Sequence, residues 1–134
     1  MADYTRANLK SDVEDQAPNF GMSPGLEARF ARGALACESC GVSYQKLEPG
    51  FRPPFGHTHD KQEELYVVVS GSGRAKVGDE IVDVKQWDAL RVAPGAWRGV
   101  EAGEDGLELL AFGARCGMAA DDSDVHMEQN WWGD

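Results

Sequence analysis

Two of the three histidines in the chain lie two residues apart, in the segment GHTHDKQEELYVVVSG. Side chains two apart on a β-strand point to the same face, so His57 and His59 can converge on one point. If residues 60–63 form a polar loop between two paired strands, Glu64 lies opposite His59 and Tyr66 lies opposite His57. Two neutral imidazoles and one carboxylate form a ligand set for Fe(II), Mn(II), Ni(II) or Zn(II). The segment therefore predicts a metal site made of these three ligands.

Two other interpretations of this segment are possible from its residues. Glu63 is a competing carboxylate, but it faces outward in the proposed register. The histidines could also be solvated residues beside a loop. Against this, the segment leads into LYVVVS, a run that is apolar on both faces and ends at a glycine. A strand with both faces buried lies in the middle of a covered sheet, so we expect the histidines at the mouth of a barrel interior.

The elements that must position these residues are predicted to be antiparallel strands. From about Leu26, short alternating runs are separated by turn residues about every 8 to 12 positions, which is typical of a sandwich or barrel. Gly78-Asp79 predicts a two-residue hairpin, while SGSG at 70–73 and GEDG at 103–106 are interpreted as turns. The candidate strands are 26–31, 34–39, 41–47, 52–58, 64–69, 73–77, 80–84, 88–93, 96–101 and 107–113.

The 134 residues are predicted to form a single domain with three parts. The barrel core covers about 26–113. A polar N-terminal arm covers 1–25, with a short helical turn expected where Ser11 precedes Glu14 in a capping-box pattern. An acidic C-terminal tail covers 114–134 and is expected to lie outside the barrel.

The histidine segment resembles the first motif of the cupin family. That motif has a Gly, a spacer, His-x-His, a Glu and a closing Gly, and this chain matches it with Gly50, His57, His59, Glu64 and Gly71. The resemblance covers about residues 41–113. It implies that the chain is a small single-domain cupin with an all-β fold, the antiparallel double-stranded jelly-roll barrel.

The second cupin motif is degenerate in the stretch WDALRVAPGAWRGVEAG. Asp88, Pro94 and Gly95 fall where the family has them. Trp87 stands in place of the usual leading Gly, and Arg98 stands in the position of the fourth metal ligand. The resemblance therefore implies that Arg98 points into the same cavity as the histidines.

An arginine cannot bind a metal, because it stays protonated and offers no lone pair. Two outcomes remain open. In the first, His57, His59 and Glu64 hold the metal while Arg98 pairs with an anionic substrate by a bidentate hydrogen bond. In the second, Arg98 pairs with Glu64 and replaces the metal.

The leading functional hypothesis is a small metal-dependent cupin that acts on an organic small molecule, anionic if Arg98 contacts it. The resemblance implies dioxygenase- or isomerase-like chemistry, with Tyr66 and Arg98 orienting the substrate. The alternative is a non-catalytic, metal-free cupin that binds a small ligand or serves in assembly. Cupins of this size are commonly dimers, and the apolar outer face at Leu65, Val67 and Val69 also favours a homodimer.

The charge of the chain argues against some partners. Thirteen basic and 23 acidic residues give a formal net charge of −10, which disfavours nucleic acid and anionic membrane surfaces. Half of that charge lies in 117–134, so it does not argue against a small anion in the barrel. No apolar run is long enough to span a bilayer, no signal peptide is recognised, and three cysteines fit a reducing compartment. We therefore expect a cytoplasmic protein.

Several weaker signals are also interpreted. Cys37 and Cys40, with Cys116 and His126, could form a zinc site, but small apolar fillers are the favoured interpretation of the cysteines, and His126 is expected to be solvated. At the cavity mouth, Arg52 is preferred over Arg91 as a cation. Trp87 and Trp97 are expected on outer strand faces, and Trp131 and Trp132 are expected to dock against the barrel or a neighbouring subunit.

Overall fold

A computed structural model of the chain describes residues 3–114 and 125–133. Its regular structure is almost entirely strand. The helical elements are a 3₁₀ turn at Ala17–Phe20 and a single turn, α1, at Arg32–Leu35. The strands are β1 (Leu26–Phe30), β2 (Cys40–Leu47), β3 (Phe55–His59), β4 (Glu63–Val77), β5 (Glu80–Lys85), β6 (Ala89–Val92), β7 (Arg98–Ala114) and β8 (Val125–Gln129).

All of the described strand pairs are antiparallel, and the long strands β4 and β7 run through two layers. In one layer, the first half of β4 and the second half of β7 pair with each other and with β6 and β2, and β2 also pairs with β1. In the other layer, the second half of β4 pairs with the first half of β7 and with β5. The start of β7 also meets β3, and β3 pairs with β8. Apolar side chains such as Leu47, Val68, Val92 and Leu107 fill the space between the layers. The predicted antiparallel jelly-roll barrel is confirmed.

Two of the predicted turns are bends within continuous strands. The pairing of β4 with β7 shifts register between Val68 and Ser70 and again between Gly71 and Gly73. Gly71 has a φ of 79°, and a Cβ atom there would collide with the carbonyl oxygen of Gly106. The glycines therefore allow two strands to bend together at close range, which is why the glycine-rich segments do not end the strands.

One predicted strand, 34–39, is wrong. Arg32–Leu35 forms α1 instead, and the turn ends at Ala36, whose φ of 55° is left-handed. The segment RGALA has no apolar–polar alternation, and alanine and leucine are strong helix formers. In the N-terminal arm, the helical turn forms at Ala17–Phe20 rather than beside Ser11.

The C-terminal tail contributes to the barrel, although we expected it to lie outside. All five residues of β8 pair with β3. Beyond β8, the Trp131 ring covers Gly56 and Gly99, where any Cβ atom would meet it, and it stacks on Trp97 with ring centroids 5.7 Å apart. Trp132 lies under the Arg52 guanidinium, 4.3 Å from the ring centroid. The predicted docking of the two tryptophans is confirmed within one chain.

No helix among residues 3–114 and 125–133 is long and apolar enough to cross a membrane.

Trp87 occupies a turn rather than a packed strand face. Its side chain is 71% exposed and its φ is 72°, a conformation that disfavours every residue except glycine. This explains why the family motif has a glycine at the same position.

We expect Trp87→Gly to raise the free energy of unfolding by about 0.5–1 kcal/mol, measured by urea denaturation. Trp87→Ala is the control, because it removes the indole and keeps the strain; an equal gain from alanine would show that backbone strain is not the cause.

Candidate metal centre

The three predicted ligands come from the two layers of the barrel. His57 and His59 lie on β3, in the layer with β8, whereas Glu64 lies near the start of β4, opposite Val92 of β6 and Gly113 of β7. Among the described pairings, β3 bonds only to β7 and β8. The predicted hairpin, with His59 opposite Glu64 and His57 opposite Tyr66, is therefore wrong. The side chains meet across the barrel interior because each points inward from its own layer.

The geometry of the three side chains suits a common ion. His57 Nε2 lies 3.4 Å from Glu64 Oε1, and His59 Nε2 lies 3.6 Å from Glu64 Oε2. One ligand atom from each residue can be chosen so that all lie within 4.8 Å of one another. The side chains of His59 and Glu64 are 9% and 12% exposed, and that of His57 is 25% exposed. The site is therefore sheltered but reachable from the His57 side.

The electrostatics favour, for His57 and Glu64, the protonation states that a metal requires. Burial lowers the pKa of His57, against the raising effect of Glu64, so the imidazole is favoured in its neutral form. Burial alone would raise the pKa of Glu64, but hydrogen bonds with the two histidines and the charge of Arg98 bring that pKa well below its usual range. A neutral imidazole and an ionised carboxylate are the forms that bind metals.

Tyr66 lies beside the carboxylate on the same face of β4. Its hydroxyl donates a hydrogen bond to Glu64 Oε1 at 2.8 Å. Burial raises the pKa of Tyr66 well above its usual value, and the nearby charge of Glu64 adds to this. Tyr66 therefore keeps its proton and holds Glu64 in place.

Arg98 points into the cavity, as predicted, and is only 1% exposed. Its Nη1 donates to the carbonyl of Ala96 at 2.8 Å, and its Nη2 lies 3.1 Å from Glu64 Oε1. The contact with Glu64 lacks hydrogen-bond alignment, and neither Nη2 nor Nε has a hydrogen-bond partner among the described residues. Arg98 thus balances the charge of Glu64 through one contact rather than a fork, and it keeps two donors for another acceptor.

Gln62, expected in the polar loop at 60–63, lies in the candidate site. Its amide Nε2 lies 3.3 Å from Glu64 Oε2 and 3.4 Å from His59 Nε2. The signal that could have found it is its position two residues before Glu64, which puts both side chains on one face if the strand conformation extends back to 62. Glu63 faces outward as predicted and pairs with Arg91.

The remaining sequence signals lie elsewhere. Arg52 was the preferred cation at the cavity mouth, but it pairs with Glu101, which Arg74 also contacts. Cys40 is exposed and Cys37 is partly exposed, so they are not buried fillers, and Cys116 lies outside the described residues. His126 is exposed as expected, 2.9 Å from Asp60 Oδ2. Within residues 3–114 and 125–133, one group of three or more His, Cys, Asp or Glu side chains is arranged so that it could hold a metal ion. It consists of His57, His59 and Glu64.

Comparisons with known proteins agree on the fold. A family model described as "Cupin domain" matches residues 43–112. Among solved structures, a cupin protein from Bacteroides fragilis has a TM-score of 0.71 at 24% identity and covers 92% of this chain and 93% of its own. Oxalate decarboxylase from Bacillus subtilis has a TM-score of 0.74 at 21% identity and covers 98% of this chain and 34% of its own.

A third similar structure is a variant of Streptomyces PAC13 with uridine. Its TM-score is 0.66 at 19% identity, and the match covers 78% of this chain and 79% of that one. Pac13 is described as a nucleoside dehydratase. No curated protein matches the sequence. At these identities, the structural matches establish the shared barrel.

Proposed function

Since the chain belongs to the cupin family, we propose that it binds a divalent transition metal through His57, His59 and Glu64 and acts on a small organic anion. The observation that carries the proposal is the convergence of two imidazole nitrogens and a carboxylate inside the barrel, within 4.8 Å of one another. The set contains nitrogen and oxygen donors, which suits Fe, Mn, Ni or Zn.

The residues present fit such an ion. The two histidines are sheltered, the carboxylate is held ionised, and His57 leaves one side of the site open. A bound ion would supply Lewis-acid or redox chemistry at this point, in keeping with dioxygenase- or isomerase-like reactions.

Arg98 and Tyr66 are proposed to orient the substrate. The Nε and Nη2 donors of Arg98 are buried and need an acceptor, and a guanidinium binds a carboxylate through two parallel hydrogen bonds. Tyr66 fixes the carboxylate of Glu64 by its 2.8 Å hydrogen bond, so the charge facing the substrate stays in one place. An organic carboxylate is therefore the substrate class that these donors favour.

A second candidate function is supported by one observation, the 3.1 Å contact between Arg98 Nη2 and Glu64 Oε1. In this alternative, Arg98 supplies the positive charge that a metal would otherwise supply. The barrel is then a metal-free module that binds a small ligand or takes part in assembly.

Elemental analysis separates the two candidates. Protein purified without an affinity tag, then reconstituted with Fe(II), Mn(II), Ni(II) or Zn(II) and desalted, is expected to retain about one equivalent of metal per chain. The metal-free alternative instead predicts less than about a tenth of an equivalent with every ion. That result would overturn the metal-dependent proposal.

A further inference from the structure

Gln62 has a side chain whose amide lies among the three proposed ligands. We propose that Gln62 is a fourth protein ligand of this site and binds the ion through its Oε1 atom. The inference rests on the proposed function, because it concerns the same ion. The family resemblance implies four metal ligands, but Arg98 stands at the position of the fourth and cannot bind a metal. Gln62 would supply the missing ligand.

The distances around the amide match those between neighbouring ligands of one ion. Two ligand atoms that each lie about 2.1 Å from an ion are about 3.0 Å apart at a right angle and about 3.4 Å apart at the tetrahedral angle. Gln62 Nε2 is 3.3 Å from Glu64 Oε2 and 3.4 Å from His59 Nε2, and Oε1 would occupy nearly the same place after a half-turn of the amide. The contacts of the two histidines with Glu64 are 3.4 and 3.6 Å. The amide therefore belongs to the same cluster by the same spacing.

Gly113 provides the space that holds the amide against the site. It lies opposite Glu64 in the pairing of β4 with β7. A Cβ atom on Gly113 would lie 2.5 Å from Gln62 Nε2 and 3.0 Å from Oε1. Gln62 is 9% exposed, so its amide is packed on bare backbone rather than extended into solvent. Only a glycine on β7 leaves room for this arrangement.

The amide can present either of its ends to the ligands. In the structure, Nε2 donates a hydrogen bond to Glu64 Oε2. A half-turn of the terminal amide exchanges Oε1 and Nε2 with little movement of the heavy atoms. The oxygen then points to the place that the ligands share.

A neutral fourth ligand has a consequence for the substrate. The charges of Glu64 and Arg98 cancel, and an amide oxygen adds none. The two positive charges of a divalent ion therefore remain uncompensated by the protein, and they favour an anionic ligand at the open side of the site. This consequence agrees with the organic anion proposed above.

The test measures Zn(II) affinity by competition with a chromophoric chelator in the full chain. Gln62→Ala is expected to weaken zinc binding about tenfold or more. Gly113→Ala should weaken it in the same direction while keeping Gln62, because the added methyl displaces the amide. Gln45→Ala is the matched control, since Gln45 bonds to Ser43 on β2 and should leave the affinity unchanged. A crystal structure with Zn(II) should place Gln62 Oε1 about 2.0–2.2 Å from the ion.

The possible failures are distinguishable. A wild-type protein that binds none of Zn(II), Fe(II), Mn(II) and Ni(II) would overturn the proposed function and this inference together. If the wild-type protein binds another of these ions instead of zinc, the same variants are compared with that ion. A wild-type protein that binds zinc, with Gln62→Ala equal to it in affinity, would overturn only the assignment of Gln62. The same conclusion would follow from a zinc-bound crystal structure in which the amide still donates to Glu64 and its oxygen stays more than about 3 Å from the ion.

Discussion

Replacing His57 and His59 together with alanine is expected to abolish metal binding and any turnover that depends on it. The double variant keeps one carboxylate and one amide near the site, which are too few donors for a tightly held transition metal. The fold should survive, because all five residues of β3 keep their backbone pairing with β8. Metal content by mass spectrometry and thermal unfolding by circular dichroism measure the two effects separately.

The control for the double variant is His126→Ala. His126 lies on β8 opposite Thr58, so it is close to the same strand, but its side chain is exposed and pairs with Asp60. Its removal should leave the metal content at the wild-type level. A folded double variant that retains about one equivalent of metal would place the ion elsewhere. The metal-free alternative predicts a change in stability alone.

Replacing Arg98 with methionine is expected to lower the free energy of unfolding of the metal-free protein by about 3 kcal/mol or more at neutral pH. The substitution leaves the carboxylate of Glu64, 12% exposed, without its guanidinium neighbour. Added Zn(II) or Mn(II) should restore much of the lost stability, because the ion then compensates the carboxylate and binds only the folded state. Urea denaturation with and without metal measures both parts.

The matched control for this variant is Arg91→Met, because Arg91 pairs with Glu63, the acidic residue next to Glu64. Glu63 pairs with Arg91 on the outer surface, where the two side chains are 48% and 61% exposed. Arg91→Met should change the unfolding free energy by less than about 1 kcal/mol, as is usual for exposed ion pairs. If Arg98→Met costs no more than Arg91→Met, then Arg98 does not compensate the buried charge.

The three side chains that converge in the candidate site could be predicted from the sequence, but the strand pairing that brings them together could not. Alternation along β3 places His57 and His59 on one face, and the position of Glu64 follows from the first motif. The five-residue step from His59 to Glu64 is compatible with a hairpin and also with two strands in facing layers. Only the pairing of β3 with β7 and β8, far away in the sequence, decides between them. Local spacing contains no information on that choice.

The other errors have the same physical origin. Glycine-rich segments predict a chain reversal when they are considered alone, but here Gly71 and Gly73 let β4 and β7 approach closely and continue. The sequence VHMEQ at 125–129 carries a weak strand pattern, and it becomes β8 because β3 offers it a free edge. Arg98 was correctly predicted to point inward, since it occupies a position with a fixed direction in the second motif.

The pairing of β3 also sets the order in which the site can form. β3 meets β7 at one pair of residues, His57 and Arg98, whereas all five of its residues pair with β8. During synthesis, the layer that carries Glu64 has all of its strands once residue 114 has left the ribosome. The strand that carries the histidines gains its main pairing partner only when residues 125–129 have been synthesised, and such pairing between distant segments is slow. An ion held by His57, His59 and Glu64 would therefore link the layer of β4, whose strands are complete first, to the layer of β3, whose strands are complete last.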